Sequence, residues 1–413
     1  MYCDNEEQKR ELANRRAAEL KARIEDYLRV RPLIPDGFAE WEKILQRQEK
    51  IKKFFRVGDS EWYDWHWQVR SRIEDIKTLT ALLALPPEKV EEICKVGEVY
   101  RWAVSPYFLS LMDPENPGCP IMRQSLPSLP ELLDNEGTED PMAEELTSPA
   151  PAITRRYPDR LTINVTNQCA MYCRHCQRRR NINKPDQITP HSHLQAALDY
   201  IREHEEIRDV LLTGGDAFML SDEQIDWLLT ELEGIEHVEI KRLGTRTLAT
   251  LPMRVTDSLC RVLEKHFPVY VNTQFNHPLE ITPEVEQACK KLSRAGVALG
   301  NQAVLLAGVN DDANVMKKLN QYLLKVLIRP YYIFHAKAVK GTAHFRTRVE
   351  VGIEIMEKLR GYTSGLAIPT YIINTPGGYG KIPVLPQYLV SMDKDKIKIR
   401  TWENRIIDYD NNE

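Results

Sequence analysis

Cys169, Cys173 and Cys176 stand in the run Thr166-Asn-Gln-Cys-Ala-Met-Tyr-Cys-Arg-His-Cys-Gln-Arg-Arg-Arg180. Three thiolates at a Cys-x3-Cys-x2-Cys spacing can hold three irons of a [4Fe–4S] cluster, although such clusters usually take four cysteines in other spacings. No fourth cysteine follows nearby, which would leave one iron with a position open to a small molecule. Zinc is the competing reading. A structural zinc site normally takes four protein ligands, and His175 adjoins Cys176 too closely to share its metal.

Two glycine-bearing runs come next. Gly214-Gly215-Asp216 follows an apolar run; glycines let backbone come close to a ligand, with a carboxylate at the rim, but alone the turn is an ordinary one. Asn374-Thr-Pro-Gly-Gly-Tyr-Gly-Lys381 places a lysine after a flexible loop. It lacks the Ser/Thr of a nucleotide-binding P-loop, and Ile382-Pro-Val-Leu-Pro does not open a helix, so a phosphate turn, a surface loop and a tethered reactive amine remain open. Arg156 and Arg160 bracket the rigid turn Arg-Tyr-Pro-Asp-Arg, where two guanidinium forks can clamp a phosphate or simply make surface ion pairs.

The elements that must position these groups follow from pattern. Short β-branched or apolar runs at Leu161–Val165, Val210–Thr213, Val238–Leu243, Val269–Gln274, Ala298–Leu305 and Ile328–Phe334 alternate with helical stretches at His191–Glu203, Asp222–Glu233, Thr256–Lys265, Pro283–Ala295 and Ala313–Leu324. That rhythm predicts βαβ units around a parallel sheet, and six strands suit a partial (β/α)6 barrel whose carboxyl-end loops carry the chemistry. The cysteine run leaves the first of these strands at that end. Residues 1–110 predict an N-terminal helical region, with helices over 6–29, 38–55 and 61–83; Trp62, Trp65 and Trp67 are expected in core or subunit interface. Residues 111–152, rich in proline and acidic near Glu136-Gly-Thr-Glu-Asp140, predict a linker or wrapping arm. Residues 153–368 form the barrel, and 369–413 a C-terminal segment.

Composition narrows the class. The 413 residues are 42% hydrophobic, enough for a large core, with a formal net charge of −4 that invites neither nucleic acid nor an anionic membrane. No run is long and apolar enough to span a bilayer. Five further cysteines, at 3, 94, 119, 260 and 289, are scattered and read as incidental or buried thiols. The clustered thiolates call for a reducing compartment, so the expected location is cytoplasmic.

With the aromatic His175 before Cys176, the run resembles the radical S-adenosylmethionine (SAM) enzymes, and RYPDR, CAMYCRHCQRRR, LLTGGDAF, NTQFNHP, GNQAVLL, RPYYI, AHFRT and PGGYGK are similar, in order, to motifs of their 2,3-aminomutase branch. The resemblance covers roughly residues 150–395. It implies a radical SAM barrel with a C-terminal segment that binds pyridoxal 5′-phosphate (PLP), a [4Fe–4S] cluster on Cys169, Cys173 and Cys176, and SAM held near Gly214, Gly215, Asp216, Gln274 and Asn301-Gln302. It also implies Lys381 as the catalytic lysine that forms and releases an imine with PLP, Arg156 and Arg160 on the PLP phosphate, and Arg178 on the substrate α-carboxylate. The family moves an amino group from the α to the β carbon.

Two positions depart from the lysine-specific members of this family, which carry aspartates where this chain has Lys337 and Asn374. A distal ammonium would meet like charge at Lys337, whereas a distal carboxylate would pair with it and accept from the Asn374 amide. The departures imply L-glutamate converted to β-glutamate (3-aminoglutarate); lysine is the alternative substrate, and a non-catalytic iron–sulfur module gripping RNA is a third reading. No cysteine follows Lys381, so no zinc is expected. The expected partners are the amino acid, a reductant such as flavodoxin or ferredoxin, and further copies of the chain in a homo-oligomer, with no nucleic acid and no membrane.

Overall fold

In the computed structural model, which describes residues 6–411, nine strands form one sheet whose spatial order follows the chain. They are β1 (Ile153–Arg155), β2 (Arg160–Thr166), β3 (Asp209–Gly214), β4 (Ile240–Thr245), β5 (Val269–Thr273), β6 (Ala298–Leu305), β7 (Arg329–His335), β8 (Thr370–Asn374) and β9 (Lys381–Pro383). Neighbours from β2 to β8 pair in parallel, while β1 and β9 pair antiparallel at the two edges. β1 and β9 do not pair with each other, so the barrel stays partial.

The six expected strands are β2 to β7. Each is followed by a helix that lays an apolar face on the sheet: His191–Arg202, Asp222–Glu233, Asp257–Lys265, Pro283–Arg294, Ala313–Lys325 and Val349–Leu359. Four of these start where a side chain caps the first turn: the Ser221, Thr256 and Thr282 hydroxyls and the Asp312 carboxylate accept from backbone N–H groups that otherwise lack partners. β8 adds a seventh parallel strand. Tyr371 and Ile372 bury into the core, so the segment from 369 continues the sheet before leaving it.

The N-terminal region is helical but more broken than its composition suggests. The expected 6–29 helix is two, Glu6–Ala22 and Glu25–Val30, and the first buries no residue. The expected 61–83 helix is replaced by Asp59–Trp62, Trp65–Arg70 and Ile76–Leu82, because the Asp64 and Asp75 carboxylates each cap a new start. Trp62 is fully buried in this region's core, which reaches Met171 in the cysteine run. The proline-rich stretch packs: prolines open the short helices Pro120–Ser125 and Pro130–Leu133 within it and Pro106–Ser110 just before it, where a missing N–H does no harm. Cys119 and Cys289 are buried, Cys260 is half-buried and Cys94 is exposed; Cys3 lies outside the described residues. β10 (Leu389–Met392), β11 (Lys396–Arg400) and β12 (Ile406–Asp410) make a separate small sheet. No helix among the described residues is long and apolar enough to cross a membrane.

Candidate active site

The carboxyl ends of the parallel strands surround a cavity of about 300 Å³. The cysteine run crosses one wall, pinned by groups far away in sequence. The Arg72 guanidinium donates to the Cys169 carbonyl (2.7 Å), Tyr172 N to Ala103 O (3.0 Å) and Arg174 N to Gln124 O (2.8 Å). Arg174 itself is buried in an ion pair with Glu131 of the wrapping arm (2.5 Å). Cys169, Cys173 and Cys176 all line the cavity. Burial, together with their mutual charge, pushes the Cys176 thiol up to about 11 and Cys169 well above its ordinary value. A bound cation reverses this balance, because a coordinating thiol is deprotonated outright. One guanidinium favours sulfur anions here. Arg246 donates to Cys173 Sγ (2.7 Å) and is held from behind by Gln124 (2.7 Å) and Glu280 (2.8 Å). Burial opposes its charge, but Cys173 and Glu280 outweigh that.

His175 lies in the same wall, edge-on to Phe345. Burial and the Arg246 charge hold its pKa well below the ordinary value, so the ring is neutral. The Gln274 amide donates to Nε2 (3.1 Å). The ring proton therefore sits on Nδ1, which is buried and has no partner.

The glycine turn serves the cysteine run before any ligand. A Cβ on Gly214 would lie 2.4 Å from Thr166 O, and one on Gly215 would lie 2.4 Å from Gln168 O; Gly214 also has φ +123°. Gly215 N and Asp216 N donate to those two carbonyls. Asp216 is not a free carboxylate at the rim. It is buried, and its two oxygens accept from Phe218 N (3.0 Å) and Arg246 N (2.7 Å), bracing the ends of β3 and β4. Asn301 is likewise turned inward, bonded to both backbone groups of Phe275, while Gln302 and Gln274 face the cavity.

Lys381 opens β9 directly opposite Asn374 at the end of β8. The intervening loop is a closed hairpin, with Thr375 N and Oγ1 both donating to Gly380 O (3.0 Å each). Its glycines at 377, 378 and 380 take positive φ, so they shape a turn rather than a slack tether. Burial, then the charges of Arg160, Arg242 and Arg156, bring Lys381 down to about 8, which favours a nucleophilic neutral amine. Tyr157, which sequence reasoning passed over, lies between Lys381 (Nζ 5.3 Å from the ring) and Arg160 (3.9 Å). Arg156 lines the cavity, whereas Arg160 lies over the Tyr157 ring outside its lining. Both have a buried Nε donor without a partner, as suits a pair meant for an anion.

The arginine triplet is wholly engaged inside. Arg178 faces the cavity, Arg179 turns to Glu131 and the Arg174 carbonyl, and Arg180 turns to Glu144 and Asp140. Glu144, on the wrapping arm, also bonds Arg156 and Arg178, and nothing in its local sequence announces this. Opposite stands Lys337, two residues past β7, whose ammonium has, among the described residues, one hydrogen-bond partner, the Gln177 side-chain carbonyl. Burial, then Arg178, Lys381 and Arg156, draw its pKa down to about 7. The Asn374 Nδ2 donor is buried and unpartnered in the same cavity.

A family profile described as radical SAM superfamily matches residues 163–319, and one described as lysine-2,3-aminomutase matches residues 356–413. A glutamate 2,3-aminomutase of Clostridioides difficile (strain 630) is 55% identical over 392 residues, spanning 95% of this chain and 93% of its own. L-lysine 2,3-aminomutases of Clostridium subterminale and Bacillus subtilis (strain 168) are 47% and 43% identical, spanning 87% and 90% of this chain and 87% and 79% of theirs. The chain belongs to the radical SAM 2,3-aminomutases. It is therefore an isomerase that works with a [4Fe–4S] cluster, SAM and PLP, on an amino acid and with an external reductant. The cavity suits all three groups: three thiols on one wall, unpartnered cation donors near Lys381, and a neutral ring with an unpartnered Nδ1 beside the thiols.

Proposed function

We propose that this 2,3-aminomutase acts on L-glutamate and yields β-glutamate. The charge of the cavity wall carries the reading. Among the described residues its carboxylates are Glu144 and Asp216, the first engaged by three arginines and the second by backbone N–H groups. Against them stand Arg156, Arg178, Arg246, Lys337 and Lys381. A lysine side chain would bring a further ammonium with no free carboxylate, among the described residues, to receive it. A distal carboxylate meets Lys337 and the open Asn374 donor. Gln177 adds to this: its carbonyl faces Lys337, so its NH₂ is left to donate. The glutamate 2,3-aminomutase relative at 55% identity supports the same substrate.

In this reading Cys169, Cys173 and Cys176 hold the cluster, with Gly214, Gly215, Gln274 and Gln302 around SAM. Lys381 bonds PLP, Arg156 and Arg160 hold its phosphate, and Arg178 grips the substrate α-carboxylate. When bound, cluster and SAM supply a primary radical that can take hydrogen from an unactivated carbon, and PLP supplies a π bond through which nitrogen can move. The chain's own residues bind, orient and release. Arg178 and Lys337 anchor the two ends of the substrate so that C2 and C3 lie between them. Lys381, with its pKa lowered to about 8, has a larger neutral-amine fraction than an ordinary lysine and would hold PLP by an imine bond.

The setting is a cytoplasmic homo-oligomer, reduced by a flavodoxin- or ferredoxin-like protein. Exposed Leu389, Val390, Met392, Ile406, Ile407 and Tyr409 on the small sheet support self-association. The decisive assay is anaerobic incubation of the reconstituted enzyme with [2-¹³C,¹⁵N]glutamate followed by NMR. The expected product has ¹⁵N on the unlabelled C3 of the same molecule; unchanged glutamate beside turnover of lysine rejects the reading.

A further inference from the structure

The wrapping arm supplies one carboxylate to the anion-binding wall, and its geometry is specific. Arg178 Nε donates to both Glu144 oxygens (3.1 Å each), and its NH2 lies 2.9 Å from Oε1. Arg156 NH2 lies 3.2 Å from Oε1 and Arg180 NH2 2.8 Å from Oε2. Glu144 is buried, and although burial opposes its charge, Arg178, Arg180 and Arg156 bring it down to about 2. The same arm closes on the lysine hairpin: Gly377 N donates to Pro141 O (3.1 Å), and a Cβ on Gly378 would lie 3.0 Å from Met142 O.

We infer that Glu144 is a positioning residue for both anion grips. It takes the Nε side of Arg178, which lines the cavity, and leaves NH1 with only a long contact to Gly214 O (3.4 Å) among the described residues. It takes one terminal nitrogen of Arg156 and leaves Nε unpartnered. A guanidinium fixed on one edge presents the other in a set orientation, so less side-chain freedom is lost when a carboxylate or phosphate arrives. One carboxylate thus ties the α-carboxylate site to the phosphate site. This rests on the reading of Arg178 and Arg156 as the two grips.

Glu144 as a mere competitor for the arginines predicts the opposite sign. Neutralising it would then free three cations and tighten anion binding. Glu144→Gln keeps the size and removes the charge, Glu144→Asp keeps the charge on a shorter stem, and Arg178→Lys probes the grip itself. The measurements are the PLP dissociation constant by absorbance titration of the anaerobic cluster-loaded protein, and KM and kcat for the amino acid. Glu144→Gln should raise KM about tenfold or more and weaken PLP binding several-fold, with kcat changed less than KM and a lower melting temperature, because three guanidinium groups lose their shared counter-charge. Glu144→Asp should recover part of both. Unchanged or tighter binding of PLP and substrate in Glu144→Gln overturns the inference, provided Arg178→Lys raises KM. If Arg178→Lys leaves KM unchanged, the reading of Arg178 fails first.

Discussion

Lys337→Met removes a cation that lines the cavity and has, among the described residues, no carboxylate partner. Lys337 is surrounded by Arg178, Lys381 and Arg156, and burial together with these charges lowers its pKa to about 7. An arriving carboxylate pairs with the ammonium and raises that pKa. The sign follows from linkage: binding gains the full ion pair below about pH 7, and loses it about tenfold per unit as pH rises until the pKa of the bound state is reached. Breaking one side of a desolvated charge pair costs about 2–5 kcal/mol, so kcat/KM for glutamate should fall by about thirty- to several-thousand-fold. The variant should also melt higher, because a cation is no longer held among three others. The assay is kcat/KM for glutamate between pH 6 and 9 on parent and variant at matched cluster and PLP content. The parent should decline above pH 7 and the variant should show no such decline. A variant with near-parental kcat/KM and the same pH profile would refute the pairing.

Other outcomes follow from the same geometry. Cys173→Ala should lose most of its iron and its reduced-state paramagnetic signal while keeping PLP, read by iron analysis and electron paramagnetic resonance. Borohydride reduction and peptide mapping should place the phosphopyridoxyl group on Lys381; label on Lys337 or Lys340 contradicts both assignments. Gln177→Glu would neutralise Lys337 from within, so KM for glutamate should rise about tenfold or more and the decline with pH should move upward. Gly215→Ala should lower the melting temperature sharply and reduce cluster retention, since its methyl would meet Gln168 O at 2.4 Å.

The barrel was legible because each βα unit announces itself in about thirty residues: an apolar run, a turn, then a capped amphipathic helix. The cysteine run and the PGGYGK hairpin were legible because their chemistry is local. What escaped reading was assembled from distance. Glu131 and Glu144 lie in a proline-rich, acidic stretch with the composition of a linker, and only packing reveals that they order Arg174, Arg179, Arg178 and Arg156. Gln124 and Glu280 converge from separate parts of the chain on Arg246, which donates to Cys173. Asp216 read as a ligand group by its place after two glycines, yet the backbone N–H groups of Phe218 and Arg246 take it first. The helix breaks at Asp64 and Asp75 show the same competition in miniature, as a carboxylate that can cap a helix start ends a continuous helical pattern.

On the proposed function, the distal wall of the cavity selects a carboxylate over an ammonium. Equimolar L-glutamate and L-lysine in one anaerobic reaction, with initial rates of β-glutamate and β-lysine formation measured together, test it most directly. The wall around Lys337, Gln177 and Asn374 predicts that β-glutamate dominates by at least about a hundredfold. Comparable rates, or an excess of β-lysine, would contradict it.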